Sequence, residues 1–336
     1  MHTETRLRAA NRDRLWVPLL THYAASGMID APRMLAHLRS IRPWVGQIML
    51  AGSTGDGWEL GDDAFEALID LAASPEMQAQ GPDFLFGVLR PTTAEVVARL
   101  ELLERRLAAD ANLAASFRGA VVCPPVDPGA SQDDIIDHFR RVLASSRSPI
   151  AVYQLPQVTG GVIAAETLAR LVAEHPRIVM FKDSSGEDLV AKSGQSFDGT
   201  VLVRGAEGDY LEALTPSGPY HGWLLSTGNA LGQPLRRLLS LKDENLAEEA
   251  RSLSAEISNV VAAVFAAAQD EGGANAFSNA NRAMDHLLAH GSNWHRVALP
   301  RKVNGDALSY ALVEAVEEKA GGVLGLAQVG YLSDAG

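Results

Sequence analysis

Arg177-Ile178-Val179-Met180-Phe181-Lys182-Asp183-Ser184-Ser185-Gly186 reads as a short buried strand, four apolar residues bounded by His175-Pro176 before and Ser184-Ser185-Gly186 after. The strand delivers a lysine at its C-terminal end. The chain has 29 Lys and Arg, of which only five are lysines (Lys182, Lys192, Lys242, Lys302 and Lys319), so arginine is its default cation. A guanidinium stays charged in a protein. An ammonium moved into a low-dielectric pocket loses its proton readily and becomes an amine nucleophile toward carbonyl carbon. Lys182 is therefore a candidate Schiff-base lysine. Taken alone, the position also fits a side chain that snorkels to solvent or pairs with Asp183.

Outward from this strand, apolar runs and amphipathic stretches alternate. Strand-like segments at 15–20, 47–51, 84–89, 119–123 and 149–155 precede the lysine strand, and 200–203 and 220–225 follow it. Helix-like segments fall between and after them, at 32–41, 62–73, 92–109, 132–145, 164–174, 187–195, 207–214 and 232–241. Eight strand–helix units over roughly 225 residues predict a (β/α)8 TIM barrel, since a doubly wound sheet stops at five or six strands. Past Lys242 the pattern is helical only, at 243–270, 276–290 and 306–320, broken at Gly272-Gly273 and Pro300. The sequence thus divides into a barrel over 1–241 and a C-terminal helical extension over 242–336.

A chain of 336 residues, 47% of them hydrophobic, is globular, and its net charge of −12 argues against nucleic acid and anionic membrane surfaces as partners. The apolar run 259–268 is too short to span a bilayer and the N-terminal residues are polar, so a cytoplasmic protein is expected. The single cysteine, Cys123, ends an apolar run and reads as a buried core thiol.

Barrel chemistry sits at the C-terminal ends of the strands. The second strand ends in Gly52-Ser53-Thr54-Gly55-Asp56, where two glycines permit a tight turn and two hydroxyls can cradle a small carboxylate. By period two, Ala151, Tyr153 and Leu155 share one face of the fifth strand, and Ile178, Met180 and Lys182 one face of the sixth. Neighbouring parallel strands would bring the Tyr153 phenol and the Lys182 amine into one pocket. Each feature has a plainer reading, a turn or core packing, and their combination is what singles out the site.

At these residues the chain resembles the dihydrodipicolinate synthase and N-acetylneuraminate lyase family of pyruvate-dependent class I aldolases. Gly52 to Asp56 is similar to the family's Gly-Ser/Thr-Thr-Gly-Glu, Tyr153-Gln154-Leu155-Pro156 to its Tyr-Asn-x-Pro, and Phe181 to Gly186 to its lysine strand. His221-Gly222 with Asn229 looks like its eighth-strand segment, and Ala298-Leu299-Pro300 matches a turn in its helical tail. The resemblance covers roughly residues 14 to 318. It implies a barrel with a three-helix tail, a tetrameric or dimeric homo-oligomer, a small 2-oxo acid as substrate, and neither metal nor cofactor beyond the lysine imine. It implies that Lys182 forms the imine, Tyr153 shuttles protons, and Ser53 and Thr54 hold the carboxylate. Gly52, Gly55, Gly205 and Leu224, also at strand ends, complete the expected substrate-binding set.

The departures bear on the second substrate. Cys123-Pro124-Pro125-Val126 stands where dihydrodipicolinate synthases carry Pro-Tyr-Tyr, and Val158 where they place an arginine for the aldehyde's carboxylate. Asp56 replaces the usual Glu. The sequence therefore points to aldol cleavage or condensation other than dihydrodipicolinate synthesis. A 2-oxo sugar-acid dehydratase using the same imine and a non-catalytic 2-oxo acid binding protein remain as alternatives. A metal-dependent enzyme would need a ligand cluster, and the helical pair His286 and His290 reads as a solvated face of the tail. A nucleotide-dependent oxidoreductase would need Gly-x-Gly-x-x-Gly after the first strand, where Leu20-Thr21-His22-Tyr23 stands.

Overall fold

The computed structural model describes residues 13–332. Eight parallel strands pair in chain order and β8 closes on β1: β1 Leu15–Pro18, β2 Gln47–Leu50, β3 Asp83–Gly87, β4 Phe117–Val122, β5 Ile150–Gln154, β6 Ile178–Asp183, β7 Val201–Arg204 and β8 Gly222–Leu224. The predicted (β/α)8 barrel is therefore the fold.

The helices pack outside it. They are α1 Ala31–Ile41, α2 Asp62–Ala73, α3 Pro75–Gln80, α4 Thr93–Ala109, α5 Ala111–Ser116, α6 Gln132–Ser145, α7 Pro156–Thr159, α8 Ala165–Glu174 and α9 Tyr210–Ala213. The remaining four are α10 Gly228–Asp243, α11 Ala247–Ala267, α12 Ala276–His290 and α13 Tyr310–Leu324. Their starts are set by local chemistry: Thr92 with Glu95 and Ser131 with Asp134 form capping boxes on α4 and α6. No helix among the described residues is long and apolar enough to cross a membrane.

Alternation along the strands builds two apolar layers. Trp16, Met49, Leu85, Val121, Met180 and Leu224 fill the barrel interior, while Leu15, Ile48, Phe84 and Phe181 point out to the helices. Three helices of the tail, α11, α12 and α13, share a core of their own that includes Val264, Met284, Leu287, Trp294 and Val316.

Three expectations are corrected. The helix expected over 187–195 is a series of turns, because Gly186, Asp188 and Gly194 all take positive φ and Asp188 spends its carboxylate on Arg204 and Tyr220. Of the helix expected over 207–214 only α9 forms, since Gly208 and Asp209 are left-handed. Ile178 faces the outer layer rather than sharing the face of Met180. The β5–β6 register shifts between Ile150 and Ala151, so that Ile150 pairs with Ile178 but Ala151 with Met180.

Buried histidines act as struts between helices and the barrel. His37 of α1 lies with Nε2 2.9 Å from the Asn229 carbonyl. His138 of α6 donates from Nε2 to the Cys123 carbonyl at 2.9 Å and accepts at Nδ1 from the Thr93 hydroxyl at 2.9 Å. His286, expected on a solvated face, is buried with Nε2 3.2 Å from the Trp294 carbonyl and its ring edge-on to His290. Burial holds His22, His37, His138, His286 and His290 below the ordinary imidazole range, His138 and His286 at about 4.

A lowered histidine pKa means that the unfolded chain takes the proton first. Stability is then lost as pH falls through about 6.5, and for His138 and His286 the loss continues to about 4. These two together account for about 4 kcal/mol at pH 5. Burial raises the Asp56 and Glu207 carboxyls, which act in the opposite sense at lower pH. Melting temperature is expected to fall steadily from pH 7 to pH 5, and His138→Asn to shrink that fall while lowering stability at pH 7. A flat profile over that interval would overturn the assignment of these groups as neutral struts.

Candidate active site

Lys182 occupies the next-to-last position of β6, paired with Tyr153 of β5 and Val203 of β7. Its side chain points into the barrel and is 4% exposed, with Nζ 3.9 Å from the centroid of the Tyr153 ring. An ammonium over an aromatic face is held by the ring quadrupole, so the phenol ring positions the amine at the barrel's C-terminal end. Asp183 points the other way. Its Oδ1 accepts from the Ser185 amide at 2.9 Å and its Oδ2 from the Tyr220 hydroxyl at 3.2 Å, so it is not the counterion of Lys182. Among the described residues no carboxylate lies within ion-pair distance of Lys182 Nζ.

The glycine after β7 explains how the lysine fits. A Cβ on Gly205 would stand 2.6 Å from Lys182 Cε and 2.2 Å from Ser184 Oγ, so the absence of a side chain leaves room for the lysine stem. The same contact brings the Ser184 hydroxyl beside that stem, a neighbour not foreseen from the sequence although it sits two residues beyond Lys182 on the same face. Leu224 is buried in the barrel interior, where it forms part of the floor with Met49 and Val203. Cys123 joins that interior, and burial pushes its thiol well up, as befits a core residue.

Ser53 to Gly55 form one turn of 3₁₀ helix after β2, bracketed by left-handed Ala51 (φ 50) and Asp56 (φ 59). A side chain at Gly55 would meet the Leu19 carbonyl at 2.6 Å, and one at Gly52 the Met49 side chain at 3.1 Å, so both glycines allow close approach to β1 and β2. Trp58 packs against the barrel interior and donates its indole N–H to Ser53 Oγ at 3.0 Å. With that lone pair engaged, the Ser53 hydroxyl is free to donate to a ligand. Asp56 is fully buried, ion-paired to Arg282 of α12 and hydrogen-bonded by the Tyr23 hydroxyl at 2.8 Å.

The cations near the mouth are committed elsewhere. Arg90 donates to the carbonyls of Trp58 at 3.1 Å and Leu60 at 2.6 Å. Arg204 faces outward, with Nε 3.0 Å from Asp188 Oδ1, and is 2% exposed. Val126, in the loop after β4, and Val158, in the short helix α7 after β5, are solvent-exposed apolar residues.

A second cluster, His22, His37 and Asp285, brings one ligand atom from each residue within 4.8 Å of the others. Both Asp285 oxygens are already bound, one by Arg33 and one by the Tyr331 hydroxyl at 2.6 Å, and His22 Nε2 lies 3.0 Å from His37 Nδ1. A guanidinium on its only carboxylate leaves a dication no net negative charge to meet, so this is a closed ion-pair network.

A family model described as the dihydrodipicolinate synthetase family matches residues 104–274. The 4-hydroxy-tetrahydrodipicolinate synthase of Xanthomonas axonopodis pv. citri (strain 306) is 30% identical over 247 residues, which cover 71% of this chain and 76% of that one. The chain belongs to the dihydrodipicolinate synthetase family. A further family relative, the 4-hydroxy-tetrahydrodipicolinate synthase of Cutibacterium acnes (strain DSM 16379 / KPA171202), is 29% identical over 267 residues, 76% of this chain and 83% of the relative. Two solved structures share the fold. The 2-keto-3-deoxygluconate aldolase of Sulfolobus in complex with D-KDPG has a TM-score of 0.73 at 15% identity, over 93% of this chain and 96% of that one. YagE, a prophage protein of the dihydrodipicolinic acid synthase family from E. coli K12 in complex with pyruvate, has a TM-score of 0.73 at 17% identity, over 93% and 98%. As a dihydrodipicolinate synthetase family member, the chain is a lyase of the class I aldolase type.

Proposed function

We propose that Lys182 forms an imine with pyruvate or a related 2-oxo acid and that the enzyme makes or breaks the carbon–carbon bond next to it. The observation that carries this reading is the Lys182 amine, buried with no carboxylate partner among the described residues and seated 3.9 Å over the Tyr153 ring at the C-terminal end of a closed barrel. In cleavage, the neutral amine adds to the C2 carbonyl and a proton delivered by Tyr153 lets the carbonyl oxygen leave as water, giving the protonated imine. The imine takes up the electron pair of the C3–C4 bond as the C4 hydroxyl gives up its proton and an aldehyde departs. The enamine is protonated at C3, and hydrolysis returns the amine and the shorter 2-oxo acid. Tyr153 carries the proton, and Ser53 and Thr54, on the turn shaped by Gly52 and Gly55, hold the carboxylate.

The distal end of the substrate is neutral, such as a polyhydroxy chain or an aromatic group. Val158 and Val126 offer no charge, Arg90 is spent on backbone carbonyls and Arg204 on Asp188. A distal carboxylate stripped of water there would lack the charged partner that repays its desolvation. The test pairs borohydride trapping with product analysis over a panel of 2-oxo acids and aldehydes. An adduct at Lys182 with pyruvate and an aldehyde among the products support the reading. Loss of water without an aldehyde would mean the dehydratase, and trapping without turnover a binding protein. Dihydrodipicolinate formation from aspartate semialdehyde at kcat/KM above about 10⁴ M⁻¹s⁻¹, the lower end for a working enzyme, would overturn the neutral distal pocket.

A further inference from the structure

The turn that carries Ser53 and Thr54 is fastened from the tail as well as from the barrel. Asn275, the N-cap of α12, donates from Nδ2 to the Ser53 carbonyl at 3.0 Å while its Oδ1 accepts from the Ser278 amide at 2.8 Å. Ser278 donates its hydroxyl to the Thr54 carbonyl at 2.9 Å. One turn further, Arg282 pairs with Asp56 and reaches the Thr21 carbonyl at 3.3 Å. Positions 275, 278 and 282 recur at helical spacing, so one face of α12 meets the whole turn. Ser278 is fully buried and Arg282 is 1% exposed, so water does not compete for the contacts of these two, while Asn275 is half-buried.

A trans peptide is planar, and its C=O and the following N–H point in opposite directions. Fixing the Ser53 and Thr54 carbonyls on α12 therefore aims the Thr54 and Gly55 amides away from the tail, back toward the barrel. Stability is a poor explanation for the arrangement. A buried ion pair such as Asp56–Arg282 recovers little beyond its own desolvation, and among the described residues Nε and Nη1 of Arg282 have no hydrogen-bond partner. What the contacts do is set the direction of two peptide units.

We infer that Asn275, Ser278 and Arg282 are positioning residues for recognition of the substrate carboxylate, acting through the Ser53 and Thr54 peptides. This rests on the reading of that turn as the carboxylate site. The test follows pyruvate half-saturation of borohydride trapping at Lys182 by intact-mass measurement in the full chain. Arg282→Ala would strand Asp56 in the interior and so risks the fold. Ser278→Ala and Asn275→Asp are the informative variants. The first removes one hydroxyl without adding charge; the second keeps the helix cap, for which Asn and Asp serve alike, but removes the donor to Ser53.

Each variant is expected to raise the half-saturating pyruvate concentration about tenfold, the equivalent of one lost hydrogen bond, and to leave the trapping rate at saturation within about threefold. Asn275→Asp is further expected to keep the wild-type melting temperature. Unchanged half-saturation in Ser278→Ala, whether or not its melting temperature falls, would make the contacts merely structural and sink the inference alone. A fall in the saturating rate without a shift in half-saturation would do the same. A wild-type chain that takes no adduct at Lys182 would bring down both the inference and the proposed function.

Discussion

Lys182→Arg is expected to leave the barrel folded and to lower turnover at least about 10⁴-fold, the scale of losing a covalent nucleophile. The substitution keeps the charge, and a guanidinium stacks on an aromatic face as well as an ammonium does, so the Tyr153 ring can still seat it. A guanidinium forms no imine with a ketone. Pyruvate with borohydride should accordingly add mass to Lys182 in the wild-type chain and to nothing in the variant. Lys302 is the natural control, because it too is buried, at 5% exposure, yet its Nζ lies 3.1 Å from Glu271 Oε1. The contact with Glu271 engages its amine, which is therefore not expected to add to a carbonyl. An adduct on Lys302, or more than about 1% residual turnover in Lys182→Arg, would remove Lys182 from the chemistry.

The βα rhythm was legible because each strand is a short apolar run closed by Gly, Pro or a polar turn, and each helix shows its apolar face at the helical period. The cross-strand pairing of Tyr153 with Lys182 was legible too, since alternation fixes which residues face the interior once consecutive strands are neighbours. Ile178 escaped the same rule because a register shift lies between it and Met180, and nothing in the composition of an all-apolar run marks a bulge. The turns over 187–195 were misread as helix because the deciding interactions are tertiary: Asp188 takes a left-handed backbone while its carboxylate meets Arg204 and Tyr220. The tail's grip on the Ser53–Gly55 turn was invisible for a related reason. Arg282 and Asp56 are 226 positions apart, and local periodicity shows only that each is polar. Arg282 stands at helical spacing from Asn275, Ser278, Asp285 and His286, a polar face that reads from the sequence as solvated, and its partner could not be named without the fold.

Tyr153→Phe is expected to lower kcat by about 10²- to 10⁴-fold, the range for a general acid–base, with pyruvate half-saturation changed no more than a few-fold. The geometry makes this a clean substitution. Lys182 Nζ sits over the ring face at 3.9 Å, and phenylalanine keeps that face and its packing against Ala151 and Met180. The amine therefore stays in place and only the hydroxyl is lost. Imine formation should still be trapped with borohydride, while the slower proton-transfer steps after it fall behind, so the variant should accumulate imine under turnover. The substitutes that the sequence alone would offer are already engaged. The Tyr23 hydroxyl donates to Asp56 at 2.8 Å, and His22 Nε2 is 3.0 Å from His37 Nδ1 with its pKa lowered by burial and by Arg33. Ser184, whose hydroxyl meets the lysine stem at the Gly205 position, is a side-chain hydroxyl that could relay a proton in its place. If kcat in Tyr153→Phe stays within threefold of wild type, the phenol is a platform for the lysine alone, and Tyr153→Ala, which removes the platform, should then lower trapping as well as turnover.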